Sequence, residues 1–132
     1  MAFKFQWADE DKTVMRYVIE GDWNWRDYHV VVRQSLFSMH RHDQPVDSLV
    51  DLRGSTRPSL PSGAANHMRS FGKKHTPALS GRALVLGVSA EQAAELGAVD
   101  GRLSTPDGEV VFVDDDDAAW AVIRGWRGES GT

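Results

Sequence analysis

The stretch that decides the fold is LVDLRGSTRPSLPSG, residues 49–63, where an apolar run gives way to a loop rich in Pro, Ser and Gly. Short apolar runs of this kind are typical of strands buried on both faces of a parallel sheet. Gly63 then opens the segment GAANHMRSFG, in which Met68 and Phe71 fall on one helical face. The stretch therefore predicts a strand, a loop and a helix, the unit of an α/β sheet.

The same alternation of strand and helix continues towards the C-terminus. ALVLGV and EVVFV repeat the buried-strand pattern, and a helical pattern follows each of them. Ser89 and Gln92 have the spacing of a capping box at the start of the first of these helices. Four acidic residues precede the second, at the end where the helix dipole is positive.

Alternation of apolar and polar residues dominates the N-terminus and predicts a β-hairpin. A long helix follows, in which Asn24 can cap the backbone amide of Asp27. The periodic apolar residues are Phe3, Phe5, Trp7, Met15, Tyr17 and Ile19 in the hairpin, and Trp25, Tyr28, Val32, Leu36 and Met39 in the helix.

These elements predict an α/β domain with the order ββαβαβαβα, a mixed, mostly parallel sheet of about five strands, and four helices. The extra first strand is expected to pair antiparallel at or near an edge. We expect residues 1–127 to form a single domain and residues 128–132 to be a flexible tail. A turn at Pro106 leaves open a further hairpin just before the last strand.

Composition narrows the class of protein. The chain has 132 residues, 41% of them hydrophobic and 26% charged, which suits one globular domain. It has no Cys, which excludes disulfides and thiolate sites. The N-terminus does not resemble a signal peptide and no apolar run is long enough to span a membrane, so we expect a cytoplasmic protein without an integral membrane segment.

The net charge of −4 is unevenly distributed. Residues 52–90 contain no Asp or Glu but six basic residues, and a cationic surface there would attract an anionic partner. The overall acidity argues against nucleic acid as that partner. The six residues are Arg53, Arg57, Arg69, Lys73, Lys74 and Arg82.

Ser62 has two interpretations. Ser is a preferred N-cap, and a helix that begins with Ser-Gly-Ala-Ala needs only that role. Alternatively, Ser62 is a regulatory or partner-contact serine, because a phosphate there would lie near a helix N-terminus and the arginines of residues 52–90.

The order of elements over nearly the whole chain resembles the STAS superfamily, and its SpoIIAA-like branch most closely. The superfamily includes bacterial anti-anti-sigma factors and the cytoplasmic domains of sulphate transporters. The resemblance is carried by LVDLRGS, by the PSG that opens the next helix, and by VFVDDDDAAWAVI near the C-terminus.

The resemblance implies a protein-binding surface at the loop and helix around Ser62. In anti-anti-sigma factors a Ser-Gly at the start of the second helix, usually inside Asp-Ser-Ser-Gly, is phosphorylated by a partner kinase, which controls binding. Ser62-Gly63 falls one residue later than that Ser-Gly, and Leu60 and Pro61 stand in place of the preceding Asp-Ser. SpoIIAA-like proteins often lack the switch serine.

Other residues that could carry chemistry have simpler structural explanations. His40, His42 and Asp43 supply metal-binding atoms, but at a helix end the two imidazoles would point to different sides. Residues 114–117 could hold Mg²⁺, but an N-cap and the first turn of a helix account for four acids equally well. Ser62 and His67 lie close in sequence, yet no nucleophile elbow surrounds the serine. We therefore expect no metal and no cofactor.

The sequence thus favours a non-enzymatic regulatory or protein-interaction domain. Its predicted partner-binding or switch residues are Ser62, Gly63, Arg53, Arg57, Arg69 and Lys73. Two alternatives stay open: a carrier or sensor of a small anionic or lipid-like ligand beside the second helix, and a weak serine hydrolase that uses Ser62. A homodimer through an exposed sheet edge or an aromatic face is also compatible with the pattern.

Overall fold

The computed structural model describes residues 2–39, 45–56, 60–71, 79–106 and 108–128. None of the helices within these ranges combines the length and the apolar composition needed to cross a bilayer. The elements are β1 (Ala2–Trp7), β2 (Val14–Gly21), α1 (Trp25–Met39), β3 (Val46–Ser55), α2 (Ala64–Ser70), β4 (Leu79–Leu86), α3 (Ala90–Glu95), β5 (Arg102–Ser104), β6 (Glu109–Val113) and α4 (Asp116–Trp126).

The strands form one sheet in the order β1-β2-β3-β4-β6-β5. The four central strands are parallel, whereas β1 pairs antiparallel with β2 and β5 antiparallel with β6. The predicted mostly parallel sheet with an antiparallel first strand at its edge is therefore confirmed. The described ranges contain six strands instead of about five, because a hairpin precedes the last central strand. The added strand, β5, has three residues, of which only Leu103 is buried.

Successive side chains of a strand point to opposite faces, so the central strands supply two cores. Helices α1, α2 and α3 cover one face, the aromatic face, and α4 covers the other, the α4 face. The core of the aromatic face includes Tyr17, Trp23, Trp25, Tyr28 and Met68, and that of the α4 face includes Val14, Leu49, Leu84, Val111 and Ile123.

Two predicted caps are confirmed at helix starts. The Asn24 side chain accepts a hydrogen bond from the backbone N–H of Asp27 at 2.9 Å. Ser89 and Gln92 form a capping box at the start of α3. These local bonds satisfy backbone groups that a helix end would otherwise leave without partners.

Candidate functional site

The loop before α2 does not use Ser62 as a helix cap. The helix begins at Ala64, its N-cap is Gly63, and no side chain caps it. Gly63 has a φ of 84°, in the left-handed region that glycine tolerates best. Because this residue starts the helix one position later than expected, the interpretation of Ser62 as the cap is wrong, and Ser62 is exposed.

The backbone next to Ser62 is held by a buried tryptophan from α1. The indole Nε1 of Trp25 donates a hydrogen bond to the carbonyl oxygen of Pro61 at 3.1 Å. The same indole, 6% exposed, stacks on the ring of His67 with the centroids 4.6 Å apart. A single aromatic side chain thus contacts both the backbone just before α2 and the first turn of that helix.

His67 joins α2 to α1. Its Nδ1 lies 3.0 Å from Nε2 of His29, a hydrogen-bonding distance between two imidazoles. In the described part of the chain, no hydrogen bond links Ser62 with His67. The histidine that a serine hydrolase would need as its base is therefore engaged with Trp25 and His29.

A small cavity of about 60 Å³ lies between α1, α2 and the sheet. One water occupies about 30 Å³, and pockets for small-molecule ligands usually start near 300 Å³. The cavity therefore has room for a few waters and lies well below the usual size of a ligand pocket. Its lining residues are Tyr17, Tyr28, His29, Val32, Ser48, Ser70, Phe71 and Leu79.

The tyrosines of this cavity stay neutral at physiological pH. Burial raises the pKa of Tyr17 to about 12, although its hydrogen bond with Ser35 acts in the opposite direction. The two hydroxyl oxygens are 2.6 Å apart. Burial, with a smaller contribution from Tyr17, also raises the pKa of Tyr28 well above its ordinary value. Neither phenol is thus prepared to act as a base.

The outer side of α2 and the two residues before it are exposed and consist mostly of small residues. Its cation, Arg69, reaches towards the end of α3, where a Cβ atom on Gly97 would lie 3.1 Å from the guanidinium. We call this region the α2 surface, and its exposed residues are Ser62, Gly63, Ala65, Asn66 and Arg69.

The predicted basic strip is not one surface, because Arg53 lies on the α4 face. Its Nη2 is 2.8 Å from a carboxylate oxygen of Asp51 and 3.4 Å from one of Asp116, at the start of α4. Arg69 lies on α2, across the sheet, so the structure does not bring these two arginines together. Alternation along β3 could have revealed this, since residues 49, 51 and 53 share a face. Arg57 and Lys73 lie outside the described residues.

Sequence reasoning missed the role of Asp51. Burial alone would raise its pKa, but hydrogen bonds from Arg53, the charge of Arg53 and a hydrogen bond from Arg16 outweigh this and hold the pKa at about 2. The Arg16 Nη2 atom lies 2.7 Å from the carboxylate and Nη1 lies 3.1 Å from Asp116. Asp51 and Arg16 therefore fasten the start of α4 to the sheet.

The acidic run at residues 114–117 has a structural role at the start of α4. The Asp115 side chain accepts a hydrogen bond from the Ala118 backbone N–H at 2.8 Å and caps α4, which confirms the capping interpretation. Three or more metal-binding side chains do not converge anywhere in the described ranges. His40, His42 and Asp43 lie outside those ranges.

A larger groove of about 310 Å³ lies beside α3 and β6. Small residues, including Ala93 and Ala94, line it together with Phe112. The carboxylates of Asp100 and Asp114 also line it, and they would repel an anionic ligand. Its size suits a small molecule, but its charge does not match the anionic ligand that the sequence suggested.

The fold has a counterpart among solved structures. An uncharacterised protein of the DUF3478 family from Shewanella loihica PV-4, described as having a SpoIIAA-like fold, is similar with a TM-score of 0.54. The similarity covers 90% of each chain at 20% sequence identity. The fold is SpoIIAA-like. No protein-family model and no curated protein matches the sequence. At this identity the likeness shows the fold alone, and it confirms the SpoIIAA-like fold expected from residues 49–63 and the elements around them.

Proposed function

We propose that this SpoIIAA-like domain is a non-enzymatic, cytoplasmic interaction module that binds a protein partner through the α2 surface. The observation that carries the proposal is the contrast between the exposed Ser62 and the buried Trp25 beneath it. A surface whose backbone is already ordered loses little conformational entropy on binding, so more of the contact energy remains as affinity.

The chemistry of the α2 surface suits a protein partner. Ser62 and Asn66 offer hydroxyl and amide groups for hydrogen bonds, and Gly63 and Ala65 let a partner approach closely. Arg69 supplies an exposed guanidinium, a group enriched in protein interfaces and able to pair with a carboxylate. The partner's matching surface is therefore expected to carry an acidic group opposite Arg69.

The absence of catalysis is part of the proposal and rests on the surroundings of His67. Nucleophilic catalysis needs a base within hydrogen-bond reach of the nucleophile. His67 instead stacks on Trp25 and bonds to His29. Hydrolysis of simple esters by the wild-type protein that is lost in Ser62→Ala would overturn this part of the proposal.

The test is affinity capture from the native host followed by mass spectrometry. Three baits are compared: wild type, Ser62→Asp, and the matched control Ser104→Asp on the exposed strand β5. We expect Ser62→Asp to lose or gain at least one partner, because a new carboxylate changes the charge of the α2 surface. Ser104→Asp should retain the wild-type partners.

Identical partners for all three baits would contradict the proposal, and so would equal changes with both aspartates. A second copy of this chain is one partner that the capture would identify. Both serines are exposed, so neither substitution is expected to unfold the domain. Thermal unfolding of each bait checks this and shows whether a lost partner reflects the changed surface or a loss of the fold.

A further inference from the structure

The outward face of α1 carries an ordered set of exposed side chains. Arg26, Val30, Arg33 and Phe37 are separated by four, three and four residues, which places them in one stripe along the helix. The stripe lies opposite the residues that α1 buries against the sheet. We call these four residues the α1 stripe.

Both apolar members of the α1 stripe are exposed, and Phe37 strongly so. Phe37 is 85% exposed and Val30 is 39% exposed. A single exposed apolar residue needs no explanation, but here two apolar residues alternate with two arginines along one stripe, which makes that stripe amphipathic. We call Val30 and Phe37 the apolar patch of the stripe. The fold does not use this patch, because α1 is anchored on its other side by Trp25, Tyr28 and Met39.

The cationic members of the α1 stripe are not used by the fold either. Arg26 and Arg33 are exposed, and no hydrogen bond or ion pair within the described ranges engages their guanidinium groups. This distinguishes them from Arg16 and Arg53, which are both paired with Asp51. The stripe is therefore both cationic and apolar.

We propose that the α1 stripe docks an acidic amphipathic helix of a partner protein. Carboxylates of that helix pair with Arg26 and Arg33, while its apolar side chains cover Val30 and Phe37. Val30 and Phe37 are about 10 Å apart along the axis, at 1.5 Å per residue, so a partner helix covers both with apolar residues one heptad apart. Opposite charge on the partner guides its approach and sets its specificity.

Charge argues against two other occupants. A second copy packed through its own α1 stripe would bring four guanidinium groups together, with Asp27 as the nearby acid of each helix. An anionic membrane is recognised by clusters of about four to eight Lys and Arg residues, and the stripe has two. An acidic helix answers both the charge and the apolar side chains of the stripe.

The test uses two designed amphipathic helical peptides with the same leucine positions, one with Glu and one with Lys on its polar positions. Binding of the fluorescently labelled peptides is measured by anisotropy at low ionic strength. We expect wild type to bind the Glu peptide at least about tenfold more tightly than the Lys peptide. The double variant Arg26→Glu, Arg33→Glu should reverse this preference. Phe37→Ser should weaken Glu-peptide binding about tenfold.

The matched control for Phe37→Ser is Val99→Ser, since Val99 is also highly exposed, at 73%, but lies after α3. It should bind the Glu peptide like wild type. The proposal is overturned if wild type does not prefer the Glu peptide, if the charge reversal leaves the preference unchanged, or if Phe37→Ser and Val99→Ser behave alike. Binding to vesicles with anionic lipid, lost in Phe37→Ser and without any peptide preference, would also overturn it in favour of a membrane.

This inference does not depend on the α2 surface. Ser62→Asp should bind the Glu peptide like wild type, because Ser62 belongs to another element. If host partners respond to Ser62→Asp while peptide binding does not respond to the α1 variants, the α1 stripe fails and the α2 surface stands. If peptide binding responds to the α1 variants while host partners do not respond to Ser62→Asp, the α2 surface fails and the α1 stripe stands.

Discussion

The two faces of the sheet differ in the contacts that supplement their apolar cores. On the α4 face, β3 carries two buried carboxylates. Asp47 pairs with Arg82 and Arg127, and Asp51 pairs with Arg16 and Arg53. On the aromatic face, rings pack on rings, and Tyr17 and Tyr28 remain neutral. Both faces have an apolar core, to which the α4 face adds ion pairs of buried carboxylates and the other face adds contacts between aromatic rings.

Asp47 shows how the α4 face pairs a buried charge. The carboxylate is 1% exposed and lies 3.0 Å from Nε of Arg82 and 3.2 Å from Nη2 of Arg127. Ser80 donates a further hydrogen bond at 2.5 Å. The guanidinium of Arg82 also lies over the ring of Trp126, 5.2 Å from its centroid. These contacts tie the end of α4 to the start of β3, as Asp51 ties the beginning of α4 to the end of β3.

The aromatic face leaves its charges available. Arg26, Arg33 and Arg69 are exposed on α1 and α2, next to the exposed Phe37 and Ser62. Side chains that the fold does not use are the ones that can serve a partner without loss of stability. The ion pairs of the α4 face therefore stabilise the fold, whereas both proposed recognition surfaces lie on the helices of the aromatic face.

The largest expected effect on the free energy of unfolding comes from removing a buried carboxylate of the α4 face. Asp47→Ala should lower the free energy of unfolding by about 3–5 kcal/mol, because it leaves two arginines without their buried partner. Asp117→Ala, at an exposed position in the first turn of α4, should cost no more than about 1 kcal/mol. Urea unfolding of both variants measures the difference. Equal losses would show that the buried network does not hold this face.

A smaller effect is expected on the aromatic face. Trp25→Phe keeps an aromatic ring but removes the hydrogen bond to the Pro61 carbonyl, so we expect a loss of about 2 kcal/mol. Hydrogen exchange should accelerate in α2 more than in α4. Trp120→Phe, on the α4 face, is the matched control and should accelerate exchange in α4 instead. An unchanged α2 in Trp25→Phe would contradict the proposed anchoring of the loop.

The smallest expected effect is the stabilisation that Asp51 contributes, which depends on pH. Its pKa is about 2 in the folded chain, below its ordinary value of 3.8. The stabilisation is therefore present above the ordinary value and is lost as the pH falls towards 2. We expect about 1–2 kcal/mol, since Arg53, one of its two partners, is 41% exposed and partly screened by solvent.

The measurement for Asp51 is the free energy of unfolding of wild type and Asp51→Asn at a series of pH values from about 6 to about 2. The advantage of wild type should shrink as the pH falls, because the amide side chain of the variant has no carboxylate to protonate. A constant difference between the two proteins would mean that the ion pairs with Arg16 and Arg53 add no net stability.

Local signals explain why much of the fold was predictable. The alternation at Phe3, Phe5 and Trp7 identified the hairpin strand, and the Asn24 and Ser89 caps were correctly identified because each bonds within three residues of itself. The strand β5 was not predicted, because three residues with a single buried side chain, Leu103, are too few to show alternation. Its hairpin was left open by the turn at Pro106.

The candidate site was less predictable because its contacts join residues far apart in sequence. Trp25 bonds to a carbonyl 36 residues away, and His29 meets His67 across 38 residues. The interpretation of Ser62 as a cap failed for a local reason, since a left-handed Gly63 takes that position. Arg53 was grouped with Arg69 by proximity in sequence, although the pleat of β3 sends Arg53 to the α4 face.

Apart from the short strand β5, the order of strands and helices followed from the sequence alone, because hydrophobic period and capping act over a few residues. Which charges would be used within the protein was decided only by the tertiary structure. Ion pairs form where the sheet brings distant strands and helix ends within a few ångströms. That arrangement pairs Arg16, Arg53, Arg82 and Arg127 with buried carboxylates, whereas Arg26, Arg33 and Arg69 stay exposed on α1 and α2.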